Sequence, residues 1–257
     1  VQAIPSLLDG KDLLGCAQTG TGKTAAFALP ILTNIANSKF KVSAKNVNCL
    51  ILTPTRELAL QIYENFKTYS VGLNIKTAVV YGGVGITPQI KAVQDGVDVL
   101  IATPGRLLDL IDQNKLSIRQ LKSFVLDEAD RMLDMGFIHD IRKVLTMIPK
   151  DRQTLFFSAT INPKIKKLAY SQISSTALRI QVSPEKMVSK NVTHSVVKVE
   201  MTEKRHLLIN FILANPQFKC IIFVRTQIRV ERVAEQLAKK DIAVLCMHGG
   251  MAQAERE

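Results

Sequence analysis

The stretch Asp12-Leu13-Leu14-Gly15-Cys16-Ala17-Gln18-Thr19-Gly20-Thr21-Gly22-Lys23-Thr24 decides the fold. Asp12 to Cys16 reads as a short strand buried on both faces, and a helix opens beyond the glycines. Glycines at 20 and 22 let backbone N–H groups turn inward around an anion, and the helix N-terminus adds partial positive charge. Strand, glycine-bearing loop, Lys-Thr and helix together make a phosphate-binding loop. Ala17, Gln18, Thr19, Gly20, Thr21, Gly22, Lys23 and Thr24 would wrap the phosphates of a nucleotide. Lys23 would reach the β- and γ-phosphates, and the Thr24 hydroxyl would ligate Mg2+. The strict pattern wants glycine at position 17, where this chain carries Ala17.

Five similar apolar runs follow: Asn48 to Thr53, Lys76 to Tyr81, Val97 to Ala102, Ser123 to Asp127 and Thr154 to Ser158. Helical segments lie between them. Arg56 to Tyr69 spaces Leu58, Ile62 and Phe66 on one face, and a second helix is expected from about Glu128 to Met147. This rhythm predicts an α/β fold with a parallel sheet covered by helices on both sides. The polar, proline-bearing stretch Ser183 to Asn191 breaks it and reads as a linker. Beyond it, strands are expected at His194 to Glu200, Cys220 to Val224 and Ile242 to Met247. Helices are expected at Lys204 to Leu213 and Arg229 to Lys239. The expected organisation is therefore a first domain over 1–182, a linker over 183–193 and a partial second domain over 194–257.

The chain has 34 basic and 22 acidic residues, a net charge of +12. Such an excess fits a polyanion partner, because each cation near a phosphate releases condensed counterions, but a charged solubility surface fits it equally. Aromatic residues are only 5%, with no Trp, which disfavours binding by base stacking on a side-chain platform. No apolar run approaches the roughly 20 residues that span a bilayer, so no membrane partner is expected. Cys16, Cys49, Cys220 and Cys246 form no paired motif, which fits a reducing cytoplasm. His139, His194 and His206 stand at no metal-ligand spacing, and Lys164, Lys166 and Lys167 read as a solvated helix face.

A second motif follows the strand at Ser123: Asp127-Glu128-Ala129-Asp130. Acidic residues at the C-terminal end of a parallel strand lie where α/β sheets do their chemistry. Asp127 would hold Mg2+, and Glu128 would orient or deprotonate an attacking water. Taken alone, the same residues also read as helix N-terminal caps.

With Ser158-Ala159-Thr160, these motifs resemble the DEAD-box ATP-dependent RNA helicases. The likeness runs on through Pro54-Thr55-Arg56-Glu57-Leu58-Ala59, Gly82-Gly83 and Thr103-Pro104-Gly105-Arg106. It continues through Ile221-Ile222-Phe223-Val224-Arg225-Thr226, His248-Gly249, Gln253 and Arg256. The run Arg131 to Ile141 is most similar to the bacterial RhlE-like subgroup. The resemblance implies a RecA-like domain with a parallel sheet followed by an incomplete second RecA-like domain. It implies ATP and Mg2+ as cofactors, and RNA, gripped by its backbone without regard to sequence, as partner of a monomer.

The resemblance also assigns roles. Thr55, Arg56, Gly83, Thr103, Gly105 and Arg106 would line the RNA path of the first domain, and Arg225, Gly249 and Gln253 that of the second. Residues 103–106 also read as a plain strand-to-helix turn with Pro at its start, and both readings hold together. Asp130, Ser158 and Thr160 would couple nucleotide state to the acidic motif, although two hydroxyls capping a helix near Asn162 fit as well. The family's adenine-reading glutamine would precede residue 1, and Gln2 stands too late in register to replace it. The closing motifs of the second domain would follow residue 257. The chain is thus expected to be a fragment truncated at both ends that turns ATP over poorly by itself. Two rivals share the scaffold, a DNA-directed translocase and a non-catalytic RNA clamp. The D-E-A-D spelling disfavours the first, and the intact Lys23, Asp127 and Glu128 disfavour the second.

Overall fold

The computed structural model describes residues 2–18, 20–182, 192–251 and 253–256. It divides into two compact units, Val1–Met187 and Val188–Glu257. In the first, α1 (Ala3–Leu8) leads into β1 (Leu13–Cys16), α2 (Lys23–Asn37) and β2 (Val47–Leu52). Then come α3 (Arg56–Tyr69), β3 (Thr77–Val80), α4 (Thr87–Val93), β4 (Val97–Ala102) and α5 (Pro104–Asp112). β5 (Ser123–Leu126), α6 (Ala129–Asp134), α7 (Ile138–Met147), β6 (Gln153–Ser158), α8 (Pro163–Tyr170) and β7 (Leu178–Gln181) complete it.

Among the described residues the strands form one seven-stranded sheet in the order β3-β4-β2-β5-β6-β1-β7. Every pairing is parallel, as the both-face apolar runs predict. All six residues of β2 are buried, and from Cys49 to Leu52 alternate ones feed opposite cores. Leu50 and Leu52 join Leu100, Phe124 and Phe156 on one face. Cys49 and Ile51 join Val99, Val125 and Leu155 on the other. That second face also stacks Phe27 against Phe66 and Phe157, with ring centroids 6.2 and 5.3 Å apart. Each such ring, fully buried, contributes about 1.5–3 kcal/mol through removal from water. β1 can lie flat against β6 because Gly15 has no side chain: a Cβ there would meet the Phe157 ring at 2.9 Å.

Three expectations change. β7 goes beyond the six expected strands; its L-R-I-Q alternates half-buried and exposed positions, as an edge strand does, and lacks the continuous apolar run of the others. The single helix expected from Glu128 to Met147 is two helices. Gly136 adopts φ +88°, Phe137 N–H bonds the Met132 carbonyl and Gly136 N–H bonds that of Leu133, both at 3.0 Å. This left-handed glycine closure ends α6 one turn after the acidic motif.

The third change lies in the second unit, where α9 (Lys204–Ala214), α10 (Gln227–Ala238) and α11 (Gln253–Arg256) form. The stretches expected as strands at 194–200, 220–224 and 242–247 make no ladder among the described residues. Parallel strands hold only when neighbours take their backbone groups and both faces are covered. Here Ile221, Phe223 and Leu245 are 85%, 93% and 99% exposed. The linker expected over 183–193 lies, through residue 191, outside the described residues.

Candidate functional site

A fully parallel sheet brings the C-terminal ends of all its strands to one rim, and loops leaving that rim carry the chemistry of α/β proteins. The strand order sorts the rim into two halves. β5, β6 and β1 are neighbours and present the acidic motif, the Ser-Ala-Thr triplet and the phosphate loop. β3, β4 and β2 are neighbours and present the Gly-Gly, Thr-Pro-Gly-Arg and Pro-Thr-Arg segments.

In the phosphate loop Gly20 and Gly22 have φ near +80°, and Gly22 caps α2. A Cβ at either position would meet nothing within 4 Å, so the backbone angle and not the space demands glycine. Lys23 Nζ donates to the Ala17 carbonyl at 2.9 Å, and Thr21 Oγ1 donates to the Gln18 carbonyl at 2.8 Å. The lysine therefore spans the loop from inside. Thr24 is half-buried in the first turn of α2, and Thr19 lies outside the described residues.

The acidic motif is built otherwise. Asp127, 6% exposed, extends the ladder by donating its N–H to the Leu52 carbonyl at 2.9 Å. Burial raises its carboxyl pKa to about 6, against the lowering pull of the Lys23 charge. Glu128 follows with φ 53° and ψ 49°, a left-handed conformation costly for a residue with a Cβ. Neither carboxylate caps α6: Asp127 Oδ1 takes the Glu128 N–H at 3.0 Å, and Glu128 Oε2 pairs with Arg131 at 3.3 Å.

Asp130 reaches the end of β6. Its Oδ2 accepts the Thr160 N–H at 2.9 Å and the Thr160 hydroxyl at 3.0 Å. Ser158 Oγ accepts the Asp130 N–H at 3.3 Å and donates to the Thr160 carbonyl at 2.7 Å. Burial alone would raise the Asp130 pKa, but the Thr160 and Ser158 hydroxyls and the N–H groups of Arg131 and Thr160 hold it below the ordinary value. The hydroxyls are thus committed to Asp130, while Asn162 caps α8 by accepting the Ile165 N–H at 2.9 Å. The phosphate loop joins the same web: Ala17 N–H donates to the Ser158 carbonyl at 3.0 Å.

On the other half of the rim Thr55 caps α3, accepting the Leu58 N–H at 3.3 Å. The Arg56 guanidinium lies 4.8 Å from the centroid of the Tyr81 ring. Thr103 precedes Pro104 at the start of α5 and donates its N–H to the Val80 carbonyl at 3.1 Å, while a Cβ on Gly105 would meet nothing. Gly83 adopts φ +83°. Arg106 is turned inward: its side chain is 11% exposed and Nη2 donates to the Val84 carbonyl at 2.8 Å. Sequence reasoning passed over Gln89, which is 8% exposed and holds the main chain of Tyr81. The available signal was a glutamine on the apolar stripe of α4, three residues after Ile86 and four before Val93.

In the second unit Arg225 and Gly249 are exposed, and Gln253 lies in α11, its side chain outside the described residues. His248 accepts the Gly250 N–H on Nδ1 at 3.2 Å and sets Nε2 3.2 Å from Glu231. A groove of 760 Å3 between α7 and α8, bordered by Lys164 and Lys167, holds none of the motif residues. Lys166 lies against the Tyr170 ring, 5.7 Å from its centroid.

A family model for DEAD/DEAH box helicases matches residues 1–168, and one for the helicase conserved C-terminal domain matches residues 203–257. The chain is 39% identical to the probable ATP-dependent RNA helicase DDX4 of Homo sapiens, over 99% of this chain and 36% of that protein. It is 37% identical to the ATP-dependent RNA helicase CshA of Limosilactobacillus reuteri, over 99% of this chain and 50% of the relative. It therefore spans between about a third and a half of these curated relatives. The crystal structure of a DEAD box protein from Methanococcus jannaschii superposes with a TM-score of 0.65 at 34% identity, covering all of this chain and 67% of that one.

Proposed function

The chain belongs to the DEAD/DEAH box helicase family, and from that premise we propose that it serves ATP-driven remodelling of RNA. ATP is bound with its phosphates on residues 17–24, Lys23 exchanging the Ala17 carbonyl for the β- and γ-phosphates. Glu128 orients the attacking water, and the Arg131 contact fixes the direction of its carboxylate. Asp130, Ser158 and Thr160 transmit the state of the phosphate loop to the acidic turn.

Mg2+ fits the residues present. A hydroxyl on Thr24 and a carboxylate on Asp127 are hard oxygen donors, and a carboxyl whose pKa burial holds near 6 gains most from a nearby cation. When bound, the ion neutralises charge developing on the phosphate oxygens. RNA runs over the other half of the rim, where Thr55, Arg56, Gly83, Thr103 and Gly105 address its sugar-phosphate backbone, and Arg106 joins them by exchanging the Val84 carbonyl for a phosphate. Arg225, Gly249 and Gln253 add contacts from a second domain over 194–257, tied to the first (1–182) by the linker 183–193. Because backbone contacts carry no base code, recognition is independent of sequence and strongly salt-dependent. The protein acts as a monomer in the cytoplasm, where its four free cysteines stay reduced. The run Arg131 to Ile141 favours the RhlE-like subgroup.

The web that joins Ala17, Ser158, Thr160 and Asp130 carries this reading, because it makes one unit of the nucleotide loop and the acidic turn. The test is ATP hydrolysis by the protein with single-stranded RNA, with DNA of equal length and with neither. RNA alone should stimulate turnover, and Glu128→Gln should lower it roughly 100-fold or more while nucleotide affinity holds. Equal stimulation by DNA would make the protein a general translocase. RNA affinity that depends on ATP without any turnover would make it a clamp.

A further inference from the structure

β3 ends at Val80, and past it the sheet no longer supplies partners for the backbone. Gln89 takes over. Its Oε1 accepts the Tyr81 N–H at 3.0 Å, and its Nε2 donates to the Tyr81 carbonyl at 3.1 Å and approaches the Gly85 carbonyl at 3.5 Å. A side-chain amide has the donor and acceptor of a peptide group, so it pairs with Tyr81 as a neighbouring strand would. This holds the backbone from which the Tyr81 ring projects, and the Arg56 guanidinium lies over that ring.

The next turn carries no ladder either. The N–H groups of Gly82, Gly83, Val84 and Gly85 have no acceptor among the described residues, and all three glycines are exposed. Arg106 and Gln89 hold the turn by its carbonyls instead. Successive N–H groups left over in a turn form a surface for an anion.

We infer that Gln89 is a positioning residue for RNA: through Tyr81 it sets both Arg56 and the N–H groups of 82–85 to receive the phosphates of one strand. This rests on the RNA-binding reading of the rim. It differs from that reading in placing part of the affinity on a buried amide that never meets the ligand.

The experiment measures binding of a fluorescent oligouridine, with a non-hydrolysable ATP analogue present, across a salt series, together with affinity for a fluorescent ADP. Gln89→Ala should weaken RNA binding roughly tenfold, flatten the salt slope by roughly 0.7–1.4, and leave ADP affinity within about twofold. Tyr81→Leu keeps the amide pairing and removes only the ring, so it should lose part of the same slope. Val93→Ala, a packing change in the same helix, should lower the melting temperature and leave the slope unchanged. Unchanged slope and affinity in Gln89→Ala, or in Tyr81→Leu should the first variant fail to fold, overturns the inference. A wild-type protein that binds no oligouridine overturns the RNA reading itself.

Discussion

In the phosphate loop, Lys23 and Thr21 donate to carbonyls of the loop itself, at Ala17 and Gln18. In the acidic turn, Asp130 takes its partners from the end of another strand, 28 and 30 positions along the chain. The two regions touch through Ala17 and Ser158, yet they are held in different ways. The loop keeps its charge on a short internal tether that a phosphate can replace without disturbing the core. The turn is wired into the sheet, so its geometry exists before any ligand arrives. Exchangeable groups suit binding, and fixed groups suit the orientation of a reacting water.

Lys23→Ala gives the largest break in this contrast. It should weaken ATP binding roughly 100- to 1000-fold, because a charge-assisted contact is lost, while the melting temperature without nucleotide stays within about 2 °C. A large loss of stability would mean that the loop, like the turn, is part of the framework.

Asp127→Asn comes next and acts the other way on stability. A buried carboxyl whose pKa is raised from 3.8 to about 6 weakens the fold as pH rises through that window, and the full penalty stands above it. The amide should therefore stabilise the nucleotide-free protein by about 2–3 kcal/mol at pH 8 and by nothing below pH 3.8, as read from denaturant melts. A gain that persists in acid would put its source in packing and not in charge.

The smallest effect sharpens the description of the turn. Thr160→Val and Asp130→Asn, singly and together, should show a coupling of about 1 kcal/mol in a double-mutant cycle. Asp130 has a lowered pKa, so its share of stability is present above the ordinary carboxylate range and fades as pH falls through the folded value. The same cycle run in acid should shrink, and a coupling independent of pH would assign it to shape alone.

Much of this was legible in residue order. Short apolar runs announced six of the seven strands, including β3, which lies at an edge and is fully buried only at alternate positions. β7 could not be read that way, because its L-R-I-Q interrupts the apolar residues with Arg179 and Gln181, whereas β3, also at an edge, keeps Ala78, Val79 and Val80 together. The break at Gly136 was hidden because glycine inside a helical period is tolerated until a closing pair of hydrogen bonds selects the left-handed form. The expected strands of the second unit failed since strand propensity without a ladder partner is only a preference. Gln89 was invisible for a related reason: on a helix wheel it is one polar residue on an apolar stripe, and only the end of β3 beside it gives the amide something to bind.

By itself the sequence determined what depends on a few adjacent residues: the phosphate loop with its glycines, the acidic tetrapeptide at a strand end, the parallel α/β fold and the family. The tertiary structure decided the strand order that puts β5, β6 and β1 side by side. It also decided the commitment of Ser158 and Thr160 to Asp130, the inward turn of Arg106 and the burial that lifts the Asp127 pKa. The physical reason is range. Dihedral and spacing rules act within a turn or two of chain, whereas desolvation and hydrogen bonds between strand ends exist only after distant segments have packed.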